Sequence, residues 1–288
     1  MSASFDRRLH PVRPDLAARA YEGRVEAGRF AEGGERQVVR DCLDLRRDPR
    51  PDCGVDTQAL FGETFTVFEE TPEGWAWGQL GSDGYVGWVA SDGLGDPVTP
   101  THRVRALRSF RYPGADLRLP PVSLVSMGSE VSVVGQATTR GLDYALLADG
   151  TAMVAKHLVP LDHVEPDWVA VAEEFVGTPY LWAGRTSLGL DCSALIQVAA
   201  RTGGHRLLRD SDMQEAGSGT LLGAGALETP RRGDLVFWKG HVAVITDPET
   251  ILHANGYTMT VAYEGLKAAL ARIGANEFGE VTAVRRLP

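Results

Sequence analysis

Residues 189–197 read Gly-Leu-Asp-Cys-Ser-Ala-Leu-Ile-Gln, a polar loop that leads through a single cysteine into an apolar run. Asp191 is a typical helix N-cap, so Cys192 is predicted to lie in the first turn of a helix. The unpaired backbone N–H groups and the positive end of the helix dipole there favour a thiolate, the nucleophilic form of cysteine. A lone cysteine is more often a small core residue, so the assignment depends on residues elsewhere in the chain.

Two later histidines support a catalytic interpretation. His241 opens the β-branched run of residues 241–245, and His253 lies in a second apolar run, residues 251–254, after the turn signal Asp-Pro-Glu-Thr at residues 247–250. Two short strands around that turn predict a hairpin, and matching positions on its arms face the same side of the sheet. We therefore expect both imidazoles to point at one place.

A cysteine, a base and a group that orients the base form a general catalytic arrangement. We assign Cys192 as the nucleophile, with its backbone N–H as oxyanion donor. His241 is the general base and later acid, and His253 holds the His241 ring in one tautomer. A zinc site from these side chains is disfavoured, because the sequence places no Cys-x-x-Cys or His-x-x-x-His pair among them. We therefore expect no metal and no other cofactor.

Residues 165–288 resemble the NlpC/P60 family of cysteine peptidases, which cut cell-wall peptides. The matching stretches follow the order of the family: residues 177–184 (GTPYLWAG), 191–193 (DCS), 232–238 (RGDLVFW), 241–244 (HVAV) and 251–254 (ILHA). Ala194 stands where the family most often has glycine, a change between two small residues. The resemblance implies a papain-like domain, and Tyr180 stands where a tyrosine of the family assists catalysis; otherwise it is a core aromatic residue.

Helices are expected before and after Cys192, and strands carry the histidines. This order predicts an α+β domain in which the nucleophile helix packs against an antiparallel sheet. The preceding helix is expected over residues 168–176, ended by Gly177.

The resemblance also implies a substrate. The family cuts between the γ-linked D-glutamate and the diamino acid of a peptide that begins with L-alanine. Asp191 is a candidate partner for a free alanine amine, since a buried cation needs an anion, and it is equally a candidate helix cap. Ser193 and Ser211 are candidates to bind the D-glutamate carboxylate, and Ser211 also fits an ordinary helix cap.

The first 163 residues predict an arm and two small β-barrels. Residues 1–34 form the arm, with a short helix start at residues 15–20, and the barrels cover residues 35–97 and 101–163. The first barrel contains a hairpin around Gly-Ser-Asp-Gly at residues 81–84. The second weakly repeats its pattern. Both resemble bacterial SH3 domains.

In family members that require a free amine, a glutamate and a tyrosine of the first barrel help to close the cleft. Glu63 and Tyr85 stand in stretches that resemble those. Without that role, Glu63 would be a solvated edge charge and Tyr85 a hairpin aromatic residue.

Composition limits the classes of function. The net charge of −9 argues against nucleic-acid binding, and no stretch is long and apolar enough to cross a bilayer. The amino terminus has no apolar signal core, so we expect a cytoplasmic protein with reduced Cys42 and Cys53. We expect a monomer whose partner is a murein peptide.

The function predicted from the sequence is hydrolysis of the γ-D-glutamyl–diamino acid bond in murein peptides with a free N-terminal L-Ala, during peptidoglycan recycling. The alternative is an exported peptidoglycan hydrolase whose SH3-like domains bind intact cell wall. A degenerate peptidase used as a scaffold is disfavoured, because Cys192, His241 and His253 are all present.

Overall fold

The computed structural model describes residues 5–223 and 225–288. The chain divides into two compact units, one ending at Leu161 and the other running from Asp162 to Pro288. The first unit is built mainly of β-strands, and the second combines helices with a six-stranded sheet. Within the described residues, no helix is long and apolar enough to cross a membrane.

The first unit begins with two short parallel-paired strands, β1 (Ala17–Ala18) and β2 (Phe30–Ala31). The helix start predicted for residues 15–20 is therefore wrong. Leu16 is fully buried beside Trp77 and Trp88, and a 3-10 turn, Arg19–Tyr21, follows β1. Packing against the neighbouring sheet overrides the helix propensity of the alanines.

Seven strands then form one sheet, which we call the first β-module. They are β3 (Gly34–Val38), β4 (Cys42–Arg46), β5 (Val55–Leu60), β6 (Thr64–Glu70), β7 (Trp75–Leu80), β8 (Val86–Ala90) and β9 (Leu94–Gly95). Their order in the sheet is β5-β4-β8-β7-β6-β3-β9. The predicted hairpin is confirmed as β7 and β8, with Trp77 paired to Trp88. Gly84 has a φ of +79° in its turn, where a side chain would be strained.

A second β-module follows in the same unit. Its strands are β10 (His102–Val104), β11 (Arg108–Arg111), β12 (Ser123–Ser126), β13 (Glu130–Val131), β14 (Val133–Thr139), β15 (Leu142–Leu147), β16 (Ala152–Val154) and β17 (Leu158–Pro160). They form small sheets in the orders β13-β10-β17, β11-β12 and β14-β15-β16 around a core that includes Val104, Val125 and Met153. The assignment of this module as an SH3-like domain stays a prediction.

Three backbone hydrogen bonds of the first β-module have counterparts at matching places in the second. The matched pairs are Val38 N–H to Glu63 O (3.0 Å) with Val104 N–H to Ser129 O (2.8 Å), Gly62 N–H to Val38 O (2.9 Å) with Gly128 N–H to Val104 O (3.0 Å), and Leu80 N–H to Tyr85 O (2.9 Å) with Leu147 N–H to Thr151 O (2.8 Å). The positions of Glu63 and Tyr85 thus correspond to Ser129 and Thr151, so the two modules differ in chemistry at these places.

The second unit contains four α-helices among its described residues: α1 (Trp168–Glu173), α2 (Cys192–Thr202), α3 (Ser211–Gly217) and α4 (Leu266–Asn276). Its strands are β18 (Arg185–Thr186), β19 (Gly189–Leu190), β20 (Thr220–Leu221), β21 (Asp234–Trp238), β22 (His241–Asp247), β23 (Thr250–Asn255), β24 (Thr260–Gly265) and β25 (Ala283–Arg286). Helix α1 ends earlier than predicted, and the chain reaches Gly177 through a turn, with a φ of +83° at that glycine.

The six-stranded sheet of this unit is antiparallel, in the order β20-β25-β21-β22-β23-β24. The predicted histidine hairpin is confirmed as β22 and β23, in which Val244 pairs with Leu252 and Ile245 with Ile251. Extending this register places His253 opposite Ala243, two residues from His241 and therefore on the same face of the sheet. Helix α4 covers Ala243, Ile245 and other residues of that face.

Candidate active site

Cys192 is the first residue of helix α2, as predicted. Asp191 is the N-cap, and its carboxylate accepts the Ala194 N–H at 2.9 Å. The backbone N–H groups of Val242 and Ser193 point at the buried Cys192 sulfur. The sulfur therefore lies at the beginning of β22, beside the residue that follows His241.

The buried position of Cys192 opposes formation of the thiolate. Burial and the neighbouring Asp191 carboxylate raise the pKa of the Cys192 thiol to about 12, against smaller opposing effects of the Val242 N–H, the Arg209 charge and the Ser193 N–H. The enclosure of the helix end thus outweighs the favourable position in the first turn. A protonated thiol needs a base that takes its proton as the sulfur attacks.

The two histidines form a direct hydrogen-bonded pair. Nε2 of His241 lies 2.9 Å from Nδ1 of His253. Burial, together with smaller effects of His253 and Arg272, lowers the pKa of His241 to about 3. Burial and the Arg272 charge lower the pKa of His253 to about 4, and Glu264 partly offsets them. Both rings are therefore neutral at pH 7, the state in which an imidazole can accept a proton.

Aromatic rings surround His241. The Phe278 ring stacks on it with a centroid distance of 5.2 Å and an interplanar angle of 10°, and the Trp238 ring lies 5.7 Å away. These rings help to keep water from the imidazole, which agrees with the dominant effect of burial on its pKa.

A carboxylate and a guanidinium lie behind His253. Glu264 follows Ala262, the β24 partner of His253, by two residues and so shares its face. Its Oε2 lies 3.2 Å from Nε2 of His253, off the axis of a well-aligned hydrogen bond. Arg272 on α4 donates to both oxygens of Glu264, at 2.8 and 2.7 Å, and also to Glu277.

On the nucleophile side, the Asp191 carboxylate is fully engaged. It accepts five hydrogen bonds, from the N–H groups of Ala183 and Ala194, the Ser193 hydroxyl and two Arg209 nitrogens. Arg209 is buried and bidentate, at 2.9 and 2.7 Å. The carboxylate therefore has its counter-ion and its donors already, and its observed role is to cap α2 and hold the loop that contains Ala183.

That loop needs the support. Ala183 has a φ of +63°, the left-handed region that costs a residue with a Cβ about 1 kcal/mol or more. The Asp191 Oδ2 atom accepts the Ala183 N–H at 3.0 Å and holds it there. One carboxylate thus joins the Tyr180 loop to the first turn of α2.

The remaining candidates of this unit lie near the same place. Ser193 is buried, donates to Asp191 and accepts from Arg209 at 2.8 Å, so its hydroxyl has partners within the protein. Tyr180 is half-buried, and burial together with the charges of Cys192 and Asp191 raises its pKa, so its hydroxyl lies within their electrostatic reach. Ser211 is the first residue of α3, and Asp210 takes the N-cap position instead.

Glu63 and Tyr85 belong to the other unit. Glu63 follows β5, where its Oε2 accepts the Leu60 N–H at 2.7 Å, and it is only 1% exposed. Tyr85 lies in the hairpin turn and is 2% exposed. Glu63 is therefore not a solvated edge charge. Their part in binding substrate stays a prediction.

Three functional candidates were missed by the sequence reasoning: Arg209, Glu264 and Arg272. Arg209 lies two positions before Ser211, a candidate for binding substrate, but nothing in the sequence marks Arg209 as buried. Within the described residues, no group of three His, Cys, Asp or Glu side chains is arranged to hold a metal ion.

The family models support the same division of the chain. A model described as the NlpC/P60 family matches residues 177–271, and one described as the bacterial dipeptidyl-peptidase Sh3 domain matches residues 45–94. The first match contains Cys192, His241 and His253, and the second lies within the first β-module.

Named relatives and solved structures agree with these matches. A dipeptidyl-peptidase 6 of Lysinibacillus sphaericus is 30% identical over 35% of this chain, but the match spans only 36% of that relative. A γ-D-glutamyl-L-lysine dipeptidyl-peptidase of Bacillus subtilis is 26% identical over 75% of this chain and 79% of its own length. The crystal structure of an NlpC/P60 family protein from Bacillus cereus covers 88% of this chain and all of its own, with a TM-score of 0.73 and 20% identity.

Proposed function

The chain is a peptidase of the NlpC/P60 family through its residues 177–271, and from this premise we propose that it hydrolyses the γ-D-glutamyl–diamino acid bond of murein peptides. The preferred substrate carries a free N-terminal L-Ala, so the product is the dipeptide L-Ala-γ-D-Glu. The name of the Bacillus subtilis relative, γ-D-glutamyl-L-lysine dipeptidyl-peptidase, supports this choice of bond.

The observation that carries the proposal is the meeting of the capped helix α2 with the strand that begins at His241. Cys192 opens a capped helix, its sulfur accepts the N–H of the residue after His241, and His241 contacts His253 at 2.9 Å. This is the order of nucleophile, base and orienting group that acyl transfer through a covalent intermediate requires.

In the proposed reaction, the Cys192 sulfur attacks the γ-carbonyl carbon of D-glutamate while His241 takes the thiol proton. The resulting oxyanion is stabilised by the Cys192 backbone N–H and by the Tyr180 hydroxyl. His241 then gives its proton to the leaving amine of the diamino acid, and a thioester remains. Water, deprotonated by His241, attacks the thioester and releases the dipeptide and the free thiol.

The Asp191 carboxylate already has Arg209 as its counter-ion. We keep Glu63 and Tyr85 of the first β-module as further candidates to bind the free amine, because their stretches resemble those of family members that require one. The second β-module has Ser129 and Thr151 at the corresponding places, so it lacks this charge. Ser211 remains our candidate for the D-glutamate carboxylate.

A dipeptidyl-peptidase acts from a free N-terminus, and free murein peptides arise when wall material is recycled. We therefore place the protein in the cytoplasm, as a monomer acting in peptidoglycan recycling. Fractionation of cells that produce the protein at its natural level tests this placement. Recovery in the wall fraction would favour the exported hydrolase instead.

The substrate assay uses purified protein with L-Ala-γ-D-Glu-diaminopimelate, the corresponding lysine tripeptide and the N-acetylated form of each. We expect release of L-Ala-γ-D-Glu from the free peptides and little turnover of the acetylated ones. Equal turnover of free and acetylated peptides would contradict the amine requirement. The Cys192→Ala protein is the inactive control, and its retention on purified sacculi would support the exported alternative.

A further inference from the structure

The contacts of the second unit continue past the catalytic histidines. Nε2 of His241 faces Nδ1 of His253 at 2.9 Å, and Nε2 of His253 faces the Glu264 carboxylate at 3.2 Å. Arg272 donates a hydrogen bond to each oxygen of that carboxylate. A row of four side chains therefore runs from the base to a guanidinium on α4.

The positions of the protons in this row follow from whether each atom can donate or accept a hydrogen bond. Arg272 can only donate, and its hydrogen bond lowers the pKa of Glu264, which is therefore an ionised acceptor. An ionised carboxylate 3.2 Å away repels a ring lone pair and attracts an N–H, so Nε2 of His253 carries the proton. Nδ1 of His253 is then a lone pair.

The same reasoning determines the tautomer of His241. Because Nδ1 of His253 accepts, Nε2 of His241 must hold the proton in their shared hydrogen bond. Nδ1 of the neutral His241 is then the free lone pair of the base. In the opposite arrangement, His241 would present an N–H at that atom and could not take a proton from the thiol.

We infer that Glu264 is a positioning residue: it fixes the proton of His253 on Nε2 and thereby leaves Nδ1 of His241 unprotonated to accept the thiol proton. This inference rests on the proposed function for its catalytic consequence, but the tautomers themselves do not. Arg272 acts one step further out, because its two hydrogen bonds hold the carboxylate ionised and in place.

The tautomers are measured directly by long-range ¹H–¹⁵N correlation spectra of protein labelled with ¹⁵N-histidine at pH 7. Single substitutions His241→Asn and His253→Asn assign the two rings. We expect both rings to be protonated on Nε2 in the unaltered protein. In Glu264→Leu we expect His253 to show a mixture of tautomers. A pair of Nδ1-protonated rings in the unaltered protein, or unchanged tautomers in Glu264→Leu, overturns the inference.

Kinetics with the tripeptide supply the second measurement. Glu264→Leu should lower kcat about 10- to 100-fold with KM changed less than about twofold, since the base and not the binding site is affected. The matched control is Glu277→Leu, which removes the other carboxylate bound by Arg272 and should stay within about twofold of the unaltered kcat. An equal loss in both variants would assign Glu264 a merely structural role.

Two further points keep the test decisive. If Glu264→Leu does not fold, as judged by circular dichroism, Glu264→Gln replaces it. The amide removes the charge at the same size, and we expect mixed tautomers and a smaller loss of kcat. If the unaltered protein cuts none of the peptides but shows Nε2-protonated rings that change in the Glu264 variant, the proposed function fails while the positioning of the proton stands.

Discussion

Two arginine–carboxylate pairs flank the catalytic residues. They differ in whether the carboxylate still has an acceptor edge that faces another side chain. In the Asp191–Arg209 pair, the side chains are 12% and 1% exposed, and the carboxylate accepts five hydrogen bonds from within the protein. In the Glu264–Arg272 pair, the side chains are 19% and 15% exposed, and one carboxylate edge faces His253. The first pair is closed, whereas the second is open toward a titratable ring.

The difference shows how one kind of interaction serves two purposes. A closed pair has no remaining acceptor, so it can only hold parts of the backbone together, here the Tyr180 loop and the first turn of α2. An open pair keeps an oriented negative charge that influences which nitrogen of the neighbouring ring is protonated. The nucleophile is thus held by a carboxylate that already accepts five hydrogen bonds. The base is oriented by a carboxylate that keeps one edge toward the neighbouring ring.

The largest expected effect is at Cys192, which the closed pair positions. Replacement by alanine removes the nucleophile, and turnover of the free tripeptide should fall by at least about 1000-fold. The measurement is release of L-Ala-γ-D-Glu by chromatography. Cys53→Ala is the control, because this cysteine lies in the other unit and should leave turnover unchanged. Residual turnover near the unaltered level would remove Cys192 from the mechanism.

Removing one partner of the closed pair should lower the stability of the fold. Arg209→Met leaves a buried Asp191 charge without its counter-ion, and the free energy of unfolding should fall by about 3–5 kcal/mol. Urea titration followed by circular dichroism measures it. Arg232→Met is the control: this arginine bonds the carboxylates of Asp167 and Glu173 nearer the surface, and its loss should cost about 1 kcal/mol or less. Similar losses in both variants would show that burial does not distinguish the pairs.

The sequence was sufficient for the parts that depend on local signals. An N-cap before an apolar run predicted the start of α2 at Cys192, and alternation around a turn predicted the β22–β23 hairpin. The pairs themselves were not predictable. Arg209 meets Asp191 across 18 positions of the chain, and Glu264 meets His253 only through the register of β24 on β23.

The state of the thiol could not be predicted for a related reason. The first turn of a helix favours a thiolate locally, but the pKa depends on how completely the folded chain excludes water from the sulfur. Burial of Cys192 raises the pKa to about 12. The same limit applies to Glu63, which an isolated strand edge would expose and which the folded chain buries.

A smaller effect should appear in the dependence of stability on pH. His241 and His253, next to the open pair, have a pKa of about 3 and about 4 in the folded protein, because burial disfavours the charged rings. From the ordinary pKa of about 6.5 down to these values, the unfolded chain binds protons that the folded chain does not. Stability is therefore full above pH 6.5 and falls as the pH decreases, by up to about 1.4 kcal/mol per pH unit for each ring.

Urea titrations at pH 7, 6, 5 and 4.5 measure this dependence. The double substitution His241→Asn and His253→Asn should give a flatter curve than the unaltered protein over the same range. Parallel curves for the unaltered and doubly substituted proteins would mean that these rings do not resist protonation.

The smallest expected effect comes from Phe278, which partly covers the His241 ring and keeps water from it. Phe278 stacks on His241 yet is 38% exposed, so it is a partial cover rather than part of the core. Phe278→Ala should admit water, raise the pKa of His241 and move the acid limb of kcat/KM to higher pH, with turnover at pH 7 reduced only about two- to fivefold. Phe278→Leu keeps an apolar cover and should shift the limb less. If alanine and leucine shift the limb equally, stacking rather than exclusion of water sets the basicity of His241.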